Sequence, residues 1–330
     1  MANILFTTYC NRNCPYCFAK GKVDLGKDKG DPSKNISPAA LEKIIAFYKK
    51  SMLRRFVILG GEPTLHPSFT PLLQRVLAEP DFKSVLVFTN GLIPPGVEDD
   101  LAAIEDKRLR LAMNLNAPDA YPVEQQTRIA QTLSRLGPKI GLGINLYRSG
   151  QDYDYLIDAI QAHGLVRHVR VGLTHPIGGS VNRFARREAF PEIARDILAF
   201  AQKAYQHEIS FSFDCGFEFC MFSLDQHQAL LRCGIKFLSR CDPIIDIGPD
   251  LSVWRCFPLL KDVCGTLDDF EHRNQIIDHY EDKYKTIMRM GNLAQCPQCR
   301  YRINGLCSGG CLARILNSFQ GSAKVSSQNG

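Results

Sequence analysis

The chain has 330 residues, of which 45% are hydrophobic and 22% charged, and its formal net charge is +6. This composition is ordinary for a globular protein and supplies enough apolar surface for a sizeable core. The charge is small for the length, there is one Trp, and no basic block alternates with aromatics, so nucleic-acid binding has little support.

The N-terminal sequence lacks the features of a secretory signal, because no charged segment precedes an apolar run and a small-residue cleavage site. No stretch approaches the roughly 20 apolar residues that cross a membrane. We therefore expect a cytoplasmic protein without a membrane partner. In that reducing compartment 13 cysteines, an odd number, indicate metal or cluster ligands rather than disulfides.

The first predicted strand covers residues 4–9, and a loop with three closely spaced thiols follows it. Cys10, Cys14 and Cys17 have the spacing C-x3-C-x2-C. Three thiolates at a strand end can hold one face of a four-iron cube and leave the fourth iron open to a small molecule. A zinc ion is the alternative, but structural zinc sites close at four ligands and a matching fourth is missing nearby.

Residues 3–213 alternate between strand and helix patterns. Short apolar or β-branched runs predict further strands at 55–59, 84–88, 109–115, 140–146 and 168–173. Helical patterns lie between and after them, at 38–50, 69–78, 97–104, 123–136, 153–163 and 191–205. Ser37 is predicted to cap the first helix, because Pro38 follows it at the first helical position.

Strands that alternate with helices form a parallel sheet. Six such units are too few for a closed eight-fold barrel, so a partial barrel or an open sheet follows. Of the two we predict an α/β fold with a partial (β/α)6 TIM-like barrel at residues 1–213. In such folds the active site lies at the carboxyl ends of the strands, which is where the cysteine loop falls.

Glycine and polar residues follow the other predicted strands. They are Gly60, Gly61, Glu62 and Pro63 after the second, Thr89, Asn90 and Gly91 after the third, Asn114 and Asn116 at the fourth, Asn145 and Arg148 at the fifth, and His175 after the sixth. At residues 60–63 the glycines allow close backbone approach. The alternatives are a tight turn at 60–63, amides that cap strand ends, and a plain loop histidine.

From Asp214 the alternation stops and cysteines become frequent. They are Cys215, Cys220, Cys233, Cys241, Cys256, Cys264, Cys296, Cys299, Cys307 and Cys311. This segment has little hydrophobic core of its own, so we expect metal clusters to stabilise it. We predict a small cysteine-rich domain at 214–320, with a short strand at 252–254 and a helix at 272–290, followed by a disordered tail at 321–330.

The loop from Cys10 to Cys17, with Tyr16 before its third Cys, resembles that of the radical S-adenosylmethionine (SAM) superfamily. Residues 60–63 and 89–91 resemble that superfamily's G-G-E-P and T-N-G segments. The resemblance implies that the three cysteines ligate a catalytic [4Fe–4S] cluster, which cleaves SAM reductively to a 5′-deoxyadenosyl radical. It also implies an electron donor such as flavodoxin or ferredoxin.

The same resemblance implies residues that bind SAM. Its methionine amino group is expected at the turn after the second strand, and its ribose or carboxylate at the ends of the fourth and fifth strands. The implied residues are Gly60, Gly61, Glu62, Asn114, Asn145 and Arg148.

The cysteines from Cys241 to Cys311 resemble the SPASM or twitch extension, which holds auxiliary [4Fe–4S] clusters. This chain departs from that pattern in three ways. Leu251 stands in place of a glycine, the gap between Cys299 and Cys307 is two residues longer, and no Cys follows Cys311.

The analogy implies one or two auxiliary clusters with partly open ligand sets. One cluster would use Cys233, Cys241, Cys256 and Cys311, and a second would use Cys296, Cys299 and Cys307. Cys215 and Cys220 are candidates for the missing ligand of the second cluster or for the place of Cys233 in the first. The alternative is a zinc ribbon built from Cys296, Cys299, Cys307 and Cys311. Cys264 is predicted to be a small thiol outside both sets.

The resemblance favours an oxidoreductase that modifies a peptide or protein, by crosslinking or by oxidation of a side chain. Nine residues precede Cys10, so a peptide-recognition domain is expected to be a separate protein if one is used. Oxidation, epimerisation or dehydration of a small metabolite is the alternative among enzymes. A zinc-stabilised module that binds nucleic acid or protein is the alternative from another class. No catalytic acid or base is identified.

Overall fold

The computed structural model describes residues 2–26, 30–178, 182–236 and 239–326. The strands in these ranges are β1 (Asn3–Leu5), β2 (Arg55–Leu59), β3 (Ser84–Thr89), β4 (Leu109–Asn114), β5 (Ile140–Leu146), β6 (His168–Leu173), β7 (Ser210–Phe213), β8 (Asp246–Ile247), β9 (Ser252–Trp254) and β10 (Val263–Thr266). They form one sheet in the order β10-β9-β8-β1-β2-β3-β4-β5-β6-β7.

The helices alternate with the first seven strands and then continue into the cysteine-rich half. They are α1 (Pro38–Lys50), α2 (Phe69–Leu77), α3 (Pro95–Ala103), α4 (Val123–Leu136), α5 (Asp154–His163), α6 (Phe190–Gln206), α7 (Leu224–Arg232), α8 (Arg273–Met290), α9 (Arg300–Ile303) and α10 (Leu312–Ser326). None of the helices in the described ranges is long and apolar enough to cross a membrane.

Strands β1 to β7 are parallel neighbours, which confirms the predicted α/β fold with a partial barrel. The prediction counted six units, and β7 adds a seventh parallel strand. Its sequence Ser-Phe-Ser-Phe lacks a continuous apolar run, and Phe211 is its one fully buried residue. The predicted N-cap is also confirmed, since the Ser37 side chain accepts a hydrogen bond from the Ala40 backbone N–H at 3.1 Å.

The cysteine-rich half extends the same sheet beyond β1. Strand β8 pairs with β1 in parallel, and β9 and β10 follow as antiparallel neighbours. The predicted strand at 252–254 and the predicted helix at 272–290 are both present, the helix beginning one residue later. Helix α10 runs through residues 321–326 of the segment predicted as a disordered tail, and residues 327–330 lie outside the described ranges.

The two faces of the barrel sheet have different compositions. Residues of one face pack against the helices in the main core, for example Ile4 and Ile58. Because side chains alternate along a strand, the neighbouring residues point to the inner face. There Leu5 and Leu59 join a small cluster around Trp254, and the strands β4 to β7 contribute glycines and polar residues. The inner face therefore offers a polar surface beside the cysteine loop.

Candidate functional site

The three cysteines of the first loop lie together at the carboxyl end of β1. Cys10 N–H donates to the Asp24 carbonyl at 2.9 Å, and Cys17 N–H donates to the Cys14 carbonyl at 3.2 Å, which closes a tight turn. Burial raises the pKa of Cys10 to about 12 and that of Cys17 to about 11, and repulsion by the neighbouring thiolates adds to both shifts. Partly buried thiols that repel one another when ionised are suited to share a cation or an iron cluster.

The loop is fastened to the end of β4 through aromatic side chains. The Tyr16 hydroxyl donates to the Asn116 side-chain oxygen at 2.5 Å, and the Tyr121 hydroxyl accepts from the Asn116 backbone N–H at 2.9 Å. The Arg12 guanidinium lies 3.9 Å from the centre of the Tyr121 ring. Asn116 thus links the loop to the segment after β4, a role that strand-end capping alone does not describe.

The turn after β2 packs directly on the backbone that leads into the loop. Gly61 N–H donates to the Thr7 carbonyl at 2.9 Å, and Glu62 N–H donates to the Tyr9 carbonyl at 2.7 Å. A Cβ atom on Gly60 would lie 2.4 Å from the Thr7 oxygen, and one on Gly61 would lie 2.2 Å from the Tyr9 oxygen. Glycine is therefore required at both positions for close approach between two backbones.

The Glu62 carboxylate is fully buried and accepts hydrogen bonds from within the protein. Its donors are the Thr64 hydroxyl at 2.6 Å, the Thr89 hydroxyl at 3.0 Å and the Asn90 backbone N–H at 2.7 Å. Burial raises its pKa, and the hydrogen bonds from Asn90 and Thr64 oppose that rise. The carboxylate thereby ties the turn after β2 to the turn after β3. Because its oxygens are occupied by these donors, a ligand at the turn after β2 would contact the backbone that Glu62 fixes.

Asn90 is a site residue whose role the sequence analysis missed. Its side-chain amide donates to the Asn11 side-chain oxygen at 2.8 Å and lies 3.8 Å from the Cys10 sulfur. The available signal was its place in the T-N-G turn, one residue beyond β3. Since Glu62 holds the Asn90 backbone, these contacts form one chain from the turn after β2 to the first cysteine.

Asn114 lies on the inner face of β4 and contacts Arg170, a residue that the sequence analysis also missed. The Arg170 guanidinium donates to the Asn114 side-chain oxygen at 2.9 Å and forms an ion pair with Asp214. Gly143 lies between them, where a Cβ would be 2.9 Å from the Asn114 oxygen. A charged residue in the middle of the apolar strand β6 was the signal for this inward-facing group.

The other two predicted cofactor residues lie at different depths. Asn145 is half-buried on the inner face, and its side-chain oxygen would be 2.8 Å from a Cβ on Gly172. Arg148 is exposed, with its guanidinium 5.5 Å from the centre of the Tyr147 ring. That ring stacks on Tyr16 with a centroid distance of 5.3 Å, so Arg148 lies at the rim beside the cysteine loop.

His175 is a buried residue that contacts both halves of the chain. Its Nδ1 accepts a hydrogen bond from the Arg314 Nε at 2.9 Å, and its ring lies 6.3 Å from that of Phe18. Burial, with the nearby Arg314 charge, lowers its pKa well below the usual value. His175 is therefore packed between the first loop and helix α10.

Four of the later cysteines form a group that we call the inner cysteine group: Cys215, Cys241, Cys256 and Cys311. They lie close enough to influence one another electrostatically. A hydrogen bond from Cys311 and the nearby Arg255 guanidinium lower the pKa of Cys241 to about 6, whereas burial raises that of Cys256 to about 12. The sulfur of Cys241 also accepts a hydrogen bond from the Leu312 N–H at 3.3 Å.

A second set, which we call the outer cysteine group, lines one cavity: Cys220, Cys296, Cys299 and Cys307. The rest of the lining includes Glu218 and Tyr301. Burial raises the pKa of Cys220 to about 11, with further increases from the charges of Glu218 and of Cys307. Cys220 thus comes from the segment after β7, while its three companions lie after α8.

The structure brings the remaining two thiols to neither group. Cys233 ends helix α7 and packs at the edge of the main core. The Cys264 sulfur donates to the Val253 carbonyl at 3.5 Å. The spacing left two assignments open. In the structure Cys215, rather than Cys233, lies in the inner cysteine group, and Cys220 lies beside Cys296, Cys299 and Cys307 in the outer one.

These cysteine groups can be compared with the requirements of metal sites. Within the described ranges, no three His, Cys, Asp or Glu side chains converge closely enough to hold a single metal ion. Thiolates on one zinc ion lie about 4 Å apart, because each bond is about 2.3 Å long and the site is tetrahedral. A four-iron cube binds each thiolate through its own iron atom, so its ligands need not converge to that distance.

Residues 4–136 match the family model described as "Radical SAM superfamily". The match runs from β1 to the end of α4 and includes the cysteine loop and the turns after β2 and β3. It confirms the resemblance of this segment to the radical SAM superfamily. Enzymes of this superfamily use a [4Fe–4S] cluster and SAM.

Curated relatives match a part of the chain. They include the GTP 3′,8-cyclases of Heliobacterium modesticaldum, 27% identical over 115 residues, and of Chlorobaculum tepidum, 31% identical over 90 residues. These matches cover 35% and 27% of this chain, and 34% and 25% of the relatives. The chain thus spans about a third or less of the length of these two relatives.

Solved structures match over nearly the whole chain. SuiB of Streptococcus suis, bound to S-adenosylmethionine, has a TM-score of 0.62 at 16% identity, covering 96% of this chain and 73% of that one. Native anSMEcpe with bound AdoMet has a TM-score of 0.64 at 14% identity, covering 97% and 95%. At these identities the likeness shows a shared fold, which includes the cysteine-rich half and fits a SPASM-like region.

The close approach at the turn after β2 yields a prediction for Gly61→Ala. The new methyl group would meet the Tyr9 backbone oxygen, and because backbone cannot rotate away as a side chain does, the cysteine loop must shift. We expect a loss of about 1–3 kcal/mol in the free energy of unfolding. We also expect lower iron incorporation at the first loop. Thermal denaturation and iron analysis measure the two effects.

Gly141→Ala is the matched control, because a Cβ at Gly141 on β5 would have no neighbour within 4 Å. It should keep the stability and iron content of the unaltered protein. Equal behaviour of the two variants would show that the contact between the turn and the loop does not require glycine.

Proposed function

We propose that the protein is a radical SAM enzyme that modifies a side chain of a peptide or protein substrate. The observation that supports the radical SAM chemistry most strongly is the arrangement around the first loop. Three thiols lie beside a backbone turn that glycine packing and the buried Glu62 carboxylate hold in place. With cluster and SAM bound, such a site supplies a 5′-deoxyadenosyl radical that removes a hydrogen atom from the substrate.

In this proposal each part of the site has a distinct task. Cys10, Cys14 and Cys17 would hold the catalytic [4Fe–4S] cluster and leave one iron open for SAM. The backbone at Gly60, Gly61 and Glu62 would accept hydrogen bonds from the SAM ammonium group. Asn90 would hold the Cys10 end of the loop in register with that turn.

The polar inner face would contact the rest of SAM and the substrate. Asn114 and Asn145 lie on neighbouring strands of that face, and Arg148 lies at its rim. The hydrogen bond from Arg170 fixes the orientation of the Asn114 amide, so its N–H₂ group is directed away from the guanidinium and can donate to a ligand. These residues would orient SAM relative to the substrate.

The two later cysteine groups would each hold an auxiliary [4Fe–4S] cluster with four thiolate ligands. In the inner cysteine group, Cys215 would occupy the place that the spacing alone left open to Cys233. In the outer cysteine group, Cys220 would supply the ligand that the SPASM pattern places after the last cysteine. Four thiolates for each cluster would leave neither with an open iron.

The likeness to anSMEcpe across both halves of the chain supports a peptide or protein as the substrate. One solved anSMEcpe structure contains a bound peptide, Cp18Cys, and matches 94% of this chain with a TM-score of 0.63. We further propose that a flavodoxin or ferredoxin reduces the catalytic cluster and that a separate protein can present the peptide. A nucleotide is the second candidate substrate, because the curated relatives that match part of this chain are GTP 3′,8-cyclases.

Replacing Cys10, Cys14 and Cys17 together with Ala should abolish reductive cleavage of SAM, because the catalytic cluster would lose every protein ligand. The measurement is 5′-deoxyadenosine formed after anaerobic reconstitution and reduction with dithionite. Cys264→Ala, which changes a thiol outside all three groups, should form the product at the normal rate. Continued 5′-deoxyadenosine formation by the triple variant would overturn the site assignment.

Cys220→Ala should lower the iron content by about 4 of about 12 irons per chain, because the outer cluster would lose one of four ligands. SAM cleavage at the first loop should be largely retained. Cys233→Ala is the control, since Cys233 lies outside both groups, and it should keep all its iron. The reverse result, with iron lost in Cys233→Ala alone, would contradict the proposed ligand sets.

Substrate class can be tested by product analysis. With SAM and reductant, the protein should leave GTP unchanged and should alter the mass of specific peptides in a proteolytic digest of its own cells. The mass change should disappear in the Cys10→Ala variant, because it depends on the radical. Conversion of GTP, with one 5′-deoxyadenosine formed per molecule consumed, would overturn the peptide proposal and favour the nucleotide.

A further inference from the structure

Arg255 is a buried cation placed among the sulfurs of the inner cysteine group. Its side chain is 3% exposed, between the end of β9 and Cys256. One guanidinium nitrogen, Nη1, lies 3.7 Å from the Cys241 sulfur and 3.9 Å from the Cys256 sulfur. The other, Nη2, donates to the Cys241 carbonyl. A single side chain therefore contacts two of the four proposed ligands.

Backbone hydrogen bonds hold Arg255 in this position. Its carbonyl accepts from the Ile245 N–H at 3.0 Å and from the Ile244 N–H at 3.2 Å, which ties it to the segment that leads from Cys241 into β8. The guanidinium is planar and carries donors on both terminal nitrogens, so it can contact a carbonyl and two sulfurs at once. Lysine, with a single ammonium on a flexible stem, cannot reproduce this geometry.

Several other charges surround the inner cysteine group, and most are already balanced. Arg170 and Asp214, which both influence Cys215, are paired with each other. Asp246, which influences Cys256, accepts a hydrogen bond from the Asn3 side-chain amide at 2.7 Å and lies near the Lys22 ammonium. Arg314, near Cys311, is a second cation, and its guanidinium donates to the Thr174 carbonyl and to His175 rather than to sulfur.

The outer cysteine group has a different electrostatic environment. Its Cys220 sulfur lies 3.6 Å from Arg187 Nη2, but Arg187 also forms an ion pair with Glu218 at 2.5 Å. The Glu218 carboxylate is itself buried and lies 3.8 Å from the Cys220 sulfur. The charge of Arg187 is therefore largely neutralised, and its side chain is 36% exposed to water. Arg302 also lines this cavity, but its Nη2 donates to the Met288 carbonyl and its Nη1 has no hydrogen-bond partner, sulfur included, among the described residues.

We infer that Arg255 raises the reduction potential of the inner auxiliary cluster and makes it the more easily reduced of the two. This inference rests on the proposed auxiliary clusters. Reduction adds one electron, supplied by the reductant, and so adds one negative charge to a cluster and its thiolates. A buried cation that donates hydrogen bonds to those sulfurs stabilises the reduced form more than the oxidised form, and low polarity around it strengthens the effect.

The test uses the Cys10, Cys14, Cys17→Ala variant, in which the two auxiliary clusters can be titrated without the catalytic one. Redox titration with dithionite, followed by electron paramagnetic resonance, should give two midpoint potentials. Adding Arg255→Gln should lower the higher midpoint potential, which we assign to the inner cluster, by at least about 59 mV. That shift is a tenfold change in the one-electron equilibrium. The lower one should stay unchanged. Arg255→Lys should give an intermediate shift, because charge is kept and the two-sulfur contact is lost.

Arg187→Gln is the matched control, since it removes an arginine beside the outer cysteine group. It should leave the higher potential unchanged. Iron analysis accompanies each titration and separates two kinds of failure. If the Cys10, Cys14, Cys17→Ala variant binds no iron, the proposed auxiliary clusters are wrong. If Arg255→Gln keeps about eight irons and both potentials, the clusters stand and the role of Arg255 is wrong. If the Arg255→Gln variant loses iron, the Arg255→Lys variant provides the test. An unchanged higher midpoint potential in the Lys variant overturns the inference.

Discussion

The close contact between two backbones is the constraint on which the candidate site depends. The turn at Gly60 and Gly61 lies against the carbonyls of Thr7 and Tyr9, and no side chain fits between them. This contact fixes the strand that leads into the cysteine loop relative to the turn that would meet SAM. The buried Glu62 carboxylate then extends the same arrangement to the turn after β3, and Asn90 carries it back to Cys10. Three separate strand ends are thereby held in one geometry.

Much of this fold could be predicted from the sequence, because hydrophobic periodicity determines where buried strands and helices lie. The strands at 55–59, 140–146 and 168–173 and the helices at 38–50 and 123–136 agree with the structure at both ends. Strand β7 was missed because its two phenylalanines alternate with serines in a run of four. Short strands at the edge of a sheet are defined by their neighbour's hydrogen bonds, which leave little trace in local sequence.

The cysteine loop could be found from spacing, because its three ligands are close in sequence. The later cysteines could not be grouped in that way, because their grouping depends on tertiary contacts. Cys220 and Cys307 are far apart in the chain and line one cavity, while Cys233 is nearer to Cys220 in sequence and lies elsewhere. Arg170 and Arg255 were missed for the same reason, since Arg170 contacts Asn114 on another strand and Arg255 contacts Cys241, 14 residues earlier in the chain.

Strand β1 lies between the two halves of the chain, with β2 on one side and β8 on the other. It has three residues, so its position depends on hydrogen bonds from both neighbours. Without β8, strand β1 would be an exposed edge of the sheet and would present unpaired backbone groups to other chains. The cysteine-rich half therefore covers the edge that β1 would otherwise expose, besides carrying thiols. Exchange of this half between related enzymes, as a modular unit, would have to preserve the β8 strand and its register with Asn3 and Ile4.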